Sequence, residues 1–233
     1  MNIQSLSGLQ SLLTHRKGGV YNIRGILFQV HYTLWRLLHE FAKDTKEEQL
    51  FQLEGIEDLD YYLDFQNEHI QVKCLDKNLD ANGFGGDILP SLLEVFEQKP
   101  DSLFSIVTNV HIAQGHLKKL HLANQGTTLL PNDSFTFWCD KIRKIRPGLD
   151  ESTCQKFLSS ISFFQKKEEA LLDECRQMLI KQHNILNGNE DQYLRALCYF
   201  LLVSSPNKME VRRSNVLRII QETSDTISKG VAN

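Results

Sequence analysis

The sequence predicts an α/β fold: a central mixed sheet flanked by helices, followed by a helical C-terminal extension. Two observations carry this. Between residues 20 and 110 the apolar pattern passes from helical spacing to short branched and aromatic runs, then back to a helix and one more buried strand. From Asp150 onward the pattern reads as helix alone.

The elements come in the following order along the chain. After Gly18 and Gly19, Ile26, Val30, Leu34, Leu37, Leu38 and Phe41 recur at spacings of three and four, one face of an amphipathic helix. "QLFQLEG", "LDYYLDF" and "HIQVKC" are short, rich in aromatic and branched residues, and bounded by polar breaks. They predict three strands, with a hairpin turn near Gln66-Asn67-Glu68. "NGFGGD" predicts a flexible loop ending at an N-cap, Asp87, before the helix "ILPSLLEVFEQ". "LFSIVTN" reads as a compact buried strand and "IAQGHLKKLHLAN" as a helix. "DSFTFWCDKIRKIRP" reads as a strand-like piece leading into a basic turn. "DESTCQKFLSSISFFQ", "KEEALLDECRQMLIKQHN", "DQYLRALCYFLLVSS" and "RRSNVLRIIQETSDTIS" complete a helical tail. The expected division is a core over residues 1–145 and an extension over 146–233 that serves assembly or partner docking. Leu194, Leu197, Leu201 and Leu202 are its candidate contact residues.

Composition narrows the function classes. The 233 residues are 41% hydrophobic and 24% charged, an ordinary globular balance. The formal net charge of -3 means that any nucleic-acid surface must be a local patch. No apolar run reaches membrane-span length and no secretory signal opens the chain, so a cytoplasmic protein without membrane attachment is expected. Five scattered cysteines without a CxxC pair argue against a disulfide framework or zinc ribbon. The histidines show no metal-binding spacing.

The stretch "EDLDYYLDFQNEHIQVKC" holds the chemistry. Alternation puts Asp58 and Asp60 on one face of the second strand, and Gln71 and Lys73 on one face of the third. A hairpin then converges carboxylate, amide oxygen and ammonium. Mg²⁺ suits such a set, since it takes one or two carboxylates and completes its shell with water and substrate phosphate. The Val72 carbonyl is a further candidate oxygen, and Lys73 is placed to orient water or offset phosphate charge. Acidic residues and a Gln-x-Lys strand also occur on solvated sheet faces, so the pattern alone leaves both readings open. Gln29, beside the apolar stripe of its helix, is either a core-edge amide or a site residue. The basic run "KIRKIR" offers Lys141, Arg143, Lys144 and Arg146 to DNA phosphates or to a partner. Arg16, Lys17 and Arg24 offer a second phosphate contact. "GGVYNIRG" lacks the Gly-Lys-Ser/Thr ending of a phosphate loop.

The order "GGVYNIRGILFQVHYTLWRLLHE … LEGIEDLDYYLDF … HIQVKC … FGGDILPSLLEVFEQ … LFSIVTN" resembles the PD-(D/E)xK, restriction-endonuclease-like nucleases. More narrowly it resembles the effector nuclease domain of bacterial anti-phage systems: CD-NTase-associated double-stranded-DNA endonucleases and the nuclease subunits of ATPase-coupled defence complexes. The resemblance covers residues 17 to 110 by motif. It implies a restriction-endonuclease-like core and matches the family's Gly-x-x-x-Gln element to Gly25 and Gln29. It matches the second-strand acid to Asp58, with Asp60 as the other candidate, and the strand-three pair to Gln71 and Lys73. Gln71 stands where the name-giving pattern has Asp or Glu, a variant that recurs in the Mrr-like branch. The site loses one formal charge, so Asp58 carries more of the metal binding, with Glu54 and Glu57 as possible supplements.

The expected function is a Mg²⁺-dependent (Mn²⁺-tolerant) endonuclease of double-stranded DNA with low sequence specificity. Asp58 and Gln71 would hold the metal, Lys73 would act on charge, and Gln29 would support the site. The resemblance implies activation by a sensor or ATPase partner, with a dimer or higher oligomer. The alternatives are a catalytically silent docking subunit of an ATPase-coupled complex, or an RNA-directed nuclease.

Overall fold

The computed structural model describes residues 20–43, 49–53, 58–63, 66–186 and 188–231. It is a three-layered α/β arrangement around a six-stranded mixed sheet of order β5-β4-β3-β2-β1-β6. The strands are β1 (Leu50–Leu53), β2 (Leu59–Leu63), β3 (Gln66–Lys73), β4 (Leu103–Thr108), β5 (Ile161–Gln165) and β6 (Glu210–Val211). β1, β2 and β3 run as an antiparallel meander, and β3, β4 and β5 are parallel.

Helix α1 (Val20–Phe41) lays its apolar stripe on one face of the sheet. Phe28, Leu34, Leu37 and Leu38 meet Phe51, Leu59, Ile70 and Val72 there. Helices α7 (Glu168–His183) and α8 (Glu190–Ser204) close over α1, and α9 (Arg213–Val231) packs on α8 in the same core. On α8, Leu194, Leu197 and Leu201 are buried and Leu202 packs against this core. They are therefore not available for the assembly contact expected of them. Their helical stripe faces inward because α1 needs a second cover besides the sheet.

The other face, carrying Phe104, Ile106, Ile161 and Phe163, is covered by the β3–β4 crossover and the helices after β4. The crossover opens with a short turn α2 (Ala81–Gly83), continues through a π-helical turn (Phe84–Ile88), and ends in α3 (Leu89–Gln98). Asp80 caps it by accepting from the Asn82 and Gly83 amides at 3.0 and 2.7 Å. The "NGFGGD" segment is thus helical rather than a flexible loop, and Asp87 lies inside the π turn rather than at an N-cap. Phe84 decides this: it is fully buried against Trp138 and Phe163, which anchors a glycine-rich segment that would otherwise be free.

Helices α4 (His116–Asn124), α5 (Asn132–Ile145) and α6 (Glu151–Ser159) complete this layer. The strand-like reading of "DSFTFWCDKIRKIRP" is corrected by α5. Trp138, Cys139 and Ile142 form a buried helical stripe, and Arg143 and Lys144 sit in the last turn, where the helix dipole favours cations. Asp150 caps α6, accepting from the Thr153 amide at 2.7 Å and the Ser152 hydroxyl at 3.1 Å. Those bonds hold its carboxyl below the usual range. A depressed folded-state pKa contributes stability present above the unfolded value and lost as pH falls through the folded one. Asp150→Ala should therefore lower the melting temperature at pH 7, and the gap to the parent should narrow below about pH 4, the ordinary carboxylate value. A gap that stays constant in thermal scans down to that range would show that the ionised carboxylate adds nothing to the cap, and no gap at pH 7 would show that the cap bonds contribute nothing.

Two further expectations change. Gln66, Asn67 and Glu68 belong to β3, paired with Leu63, Tyr62 and Tyr61, and are not the turn. The boundary at 145/146 does not separate a core from an extension. β5 pairs with β4 and β6 pairs with β1, so the C-terminal region supplies both outer strands of the sheet.

Candidate functional site

Asp58 directly precedes β2, whose first residue Leu59 pairs with Ile70 of β3. Its Oδ2 accepts a hydrogen bond from the Val72 amide at 2.7 Å. Val72 is the residue between Gln71 and Lys73, so the carboxylate is tied to the centre of the Gln-x-Lys segment. Gln71 and Lys73 share the sheet face of their β4 partners Ile106 and Thr108. Gln71 is buried, while Asp58 and Lys73 are half-buried. All three lie at the end of the sheet where the parallel strands β3, β4 and β5 finish. In open α/β sheets the crevice outside the carboxyl ends of parallel strands is where ligands bind.

The surroundings of this end are polar. The Thr108 carbonyl accepts from the Lys166 amide at 2.9 Å, which ties the exits of β4 and β5 together. At the start of α7, Glu168 Oε1 pairs with His31 Nδ1 at 2.8 Å. Burial pushes the Cys74 thiol up; nearby Arg24 opposes this, and the carboxylates of Glu168 and Asp76 reinforce it. Cys74 therefore stays a thiol beside Lys73. His31 and Glu168 were not singled out by sequence, because residues 137 positions apart carry no spacing signal.

Asp60 is engaged by its own chain. It has no exposed surface, its Oδ1 pairs with His69 Nδ1 at 2.7 Å, and its Oδ2 accepts from the Tyr62 hydroxyl at 3.1 Å. Burial, then the Asp60 carboxylate, raises the Tyr62 phenol to about 12. His69 Nε2 in turn pairs with the Ser102 hydroxyl at 3.2 Å. The Asp60–His69–Ser102 order has the connectivity of a nucleophilic triad, yet Asp60 and His69 are sealed and Ser102 is 4% exposed. It ties β2 and β3 to the entry of β4. Asp60 and Asp58 share an alternation face, but two residues further into the sheet the carboxylate meets His69 instead of solvent.

The other expected residues are spread. Gln29 is half-buried on α1, which covers the Ile70 and Val72 face, whereas Gln71 and Lys73 alternate onto the other. A Cβ at Gly25 would meet nothing within 4 Å, so no close packing requires glycine there. Arg24 pairs with Asp76 at 3.0 Å on the surface. Lys141 lies over the Phe137 ring at 5.3 Å and against Gly85. The Arg143 guanidinium donates to the Leu149 carbonyl at 3.2 Å, and that of Arg146 pairs with Glu97 at 3.0 Å. Lys144 is exposed on the last turn of α5. The basic run is therefore a helix end whose cations largely engage their own chain. Arg16, Lys17, Glu54 and Glu57 lie outside the described residues. Among the described residues no group of three or more His, Cys, Asp or Glu side chains could hold a metal. No described helix is long and apolar enough to cross a membrane.

The fold has solved counterparts. An Acinetobacter baumannii Cap4 SAVED/CARF-domain containing receptor with the cyclic trinucleotide 2'3'3'-cAAA matches with a TM-score of 0.60 and 15% identity. That match covers 87% of this chain and 45% of the receptor. A Moraxella osloensis Cap4 SAVED/CARF-domain containing receptor matches with a TM-score of 0.55 and 15% identity, over 85% of this chain and 47% of that one. The chain thus spans under half the length of these structures and shares the fold of that part. No protein-family profile matches the chain, and no curated protein does.

Proposed function

We propose that this chain is a metal-dependent nuclease domain with a restriction-endonuclease-like core, acting on double-stranded DNA in anti-phage defence. One observation carries the reading: the Asp58 carboxylate is fixed on the Val72 amide, between Gln71 and Lys73, at the carboxyl end of the parallel strands. The donor set suits Mg²⁺, which needs few protein ligands because water and substrate phosphate fill the rest of its shell. Asp58 and Gln71 would hold the ion. When bound, it would lower the pKa of its water and neutralise phosphate charge. Asp58 supplies the negative charge, and the Val72 amide fixes its orientation. Gln71 presents a neutral oxygen from a buried position that restricts its rotamers. Lys73 sets an ammonium where charge grows on the phosphate, held by a paired strand rather than a loop.

The test is conversion of supercoiled plasmid with and without Mg²⁺, at several protein concentrations. Mg²⁺-dependent nicking is expected, and linear product should rise with concentration, since cutting both strands needs two sites. No cleavage of duplex DNA under any condition would sink the reading; selective cleavage of RNA in the same assay would change the substrate class.

A second reading comes from the solved counterparts, of which the Acinetobacter baumannii receptor carries a cyclic trinucleotide. The chain itself could bind such a ligand as a sensor. The shared part is 45% of that receptor, so the trinucleotide is not thereby assigned to it. Calorimetry with cyclic triadenylates separates the two: tight binding by this chain favours the sensor, whereas nicking without binding favours the nuclease.

A further inference from the structure

The parallel ladder between β3 and β4 ends at the pair Lys73 and Thr108. One residue past the end of β4, Asn109 takes over with its side chain. Its Oδ1 accepts from the Leu75 amide at 2.6 Å, and its Nδ2 donates to the Leu75 carbonyl at 2.9 Å. Both polar groups of one backbone residue are thus held by one planar amide. Asn109 is itself anchored through its neighbour: the Thr108 hydroxyl donates to the Val110 carbonyl at 2.6 Å, and the Thr108 carbonyl accepts from Lys166. The clamp sits two residues beyond Lys73, between the last ladder pair and the exposed Asp76 and Lys77.

We propose that Asn109 is a positioning residue: its two-point clamp on Leu75 holds the end of β3 in register and thereby fixes where the Lys73 ammonium stands. This rests on the nuclease reading of the site. A strand end without cross-strand bonds frays, and a lysine at a fraying end samples many positions. Lys73 lies at the last ladder pair, and the Leu75 clamp restrains the chain just beyond it on the exit side. Asparagine suits the role because it is short, planar and carries both donor and acceptor. Alanine would remove both bonds. Aspartate would keep the acceptor for the Leu75 amide but set a carboxylate against the Leu75 carbonyl. Misplacement of a catalytic group by about 1 Å costs on the order of 10²-fold in rate.

The experiment compares the parent, Asn109→Ala and Asn109→Asp for single-turnover plasmid nicking with Mg²⁺, affinity for the same DNA, melting temperature, and amide hydrogen exchange over residues 71–75. Asn109→Ala is expected to slow nicking by about 10- to 100-fold, with DNA affinity within about twofold and faster exchange confined to that segment. Asn109→Asp should fall between alanine and the parent; it also carries the comparison should the alanine variant fail to fold. Nicking at the parental rate overturns the proposal. So does a rate loss matched by an equal loss of DNA affinity, which would make Asn109 a substrate contact. Should the parent not nick DNA, the nuclease reading fails by itself. Exchange then decides the clamp: unchanged protection of residues 71–75 in Asn109→Ala overturns it, and local loss supports it.

Discussion

Lys73→Ala is expected to reduce Mg²⁺-dependent nicking by about 10²- to 10³-fold, the typical loss when one preorganised electrostatic stabiliser is removed. The fold should survive. Lys73 is half-buried at the last ladder pair, and its backbone pairing with β4 does not depend on the side chain. Asp58 fails by another route. Asp58→Asn keeps an oxygen able to accept from the Val72 amide but removes the charge that, on the proposed reading, would attract a divalent ion. Its activity should fall at low Mg²⁺ and recover in part at high Mg²⁺, because weakened affinity is compensated by concentration. Lys73→Ala should not recover, since added metal does not replace a positioned ammonium. The readout is the nicking rate across a Mg²⁺ titration for the three proteins. Parental rates in both variants would place the chemistry elsewhere or remove it; recovery of Lys73→Ala by Mg²⁺ would make Lys73 a metal-affinity residue.

The parts of this site that are local in sequence were legible in it. Asp58, Gln71 and Lys73 fall within one hairpin, so strand alternation and hairpin pairing bring them to one end of the sheet without any tertiary knowledge. The stripe of α1 was equally plain, because Val30, Leu34, Leu37, Leu38 and Phe41 repeat at spacings of three and four and are buried. Failures cluster where two periodicities overlap or where a partner lies far along the chain. In "DESTCQKFLSSISFFQ", Cys154, Phe157, Leu158 and Ile161 continue a helical stripe across the break at Ser160, which conceals strand β5. In "DSFTFWCDKIRKIRP", the aromatic residues suggested a strand, but Trp138, Cys139 and Ile142 were already one turn apart. β6 is only two residues long, pairing Val211 with Phe51 and Glu210 with Gln52, too short for alternation to show in the sequence. Asn109 carried no signal, since a polar residue at a strand end looks like any turn residue until Leu75 is seen beside it.

The sheet topology gives the site its support. The candidate end lies where the antiparallel pair β2–β3 meets the parallel set β3–β4–β5, so β3 is hydrogen-bonded on both sides. Its exit is then fixed by the Asn109 clamp rather than by a further strand. Such an arrangement lets the carboxylate come from the residue just before β2, tied to the Val72 amide, and the amide–ammonium pair from the central strand itself, where Gln71 and Lys73 sit on a regular element.

Asp60→Ala is expected to destabilise the fold by about 1–3 kcal/mol, the cost of leaving a buried hydrogen-bonding group without its partner. The carboxylate has no exposed surface and serves both His69 and the Tyr62 hydroxyl. Its loss leaves His69 in the sheet with the Ser102 hydroxyl at Nε2 and nothing in place of the carboxylate at Nδ1, where water does not reach. Asp60→Asn should be milder. Its amide oxygen can still accept from His69 and its shape is kept, although the Tyr62 bond then depends on the remaining amide group. The pattern across variants separates the two aspartates on this alternation face. Asp60→Ala should lower the denaturation midpoint strongly, and its Mg²⁺ response should follow the surviving folded fraction. Asp58→Asn should leave the midpoint near the parent while shifting the Mg²⁺ requirement. Denaturant unfolding paired with the Mg²⁺ titration checks both. Were Asp60→Ala as stable as the parent but selectively impaired at low Mg²⁺, the buried network would be incidental and Asp60 would belong with the metal after all.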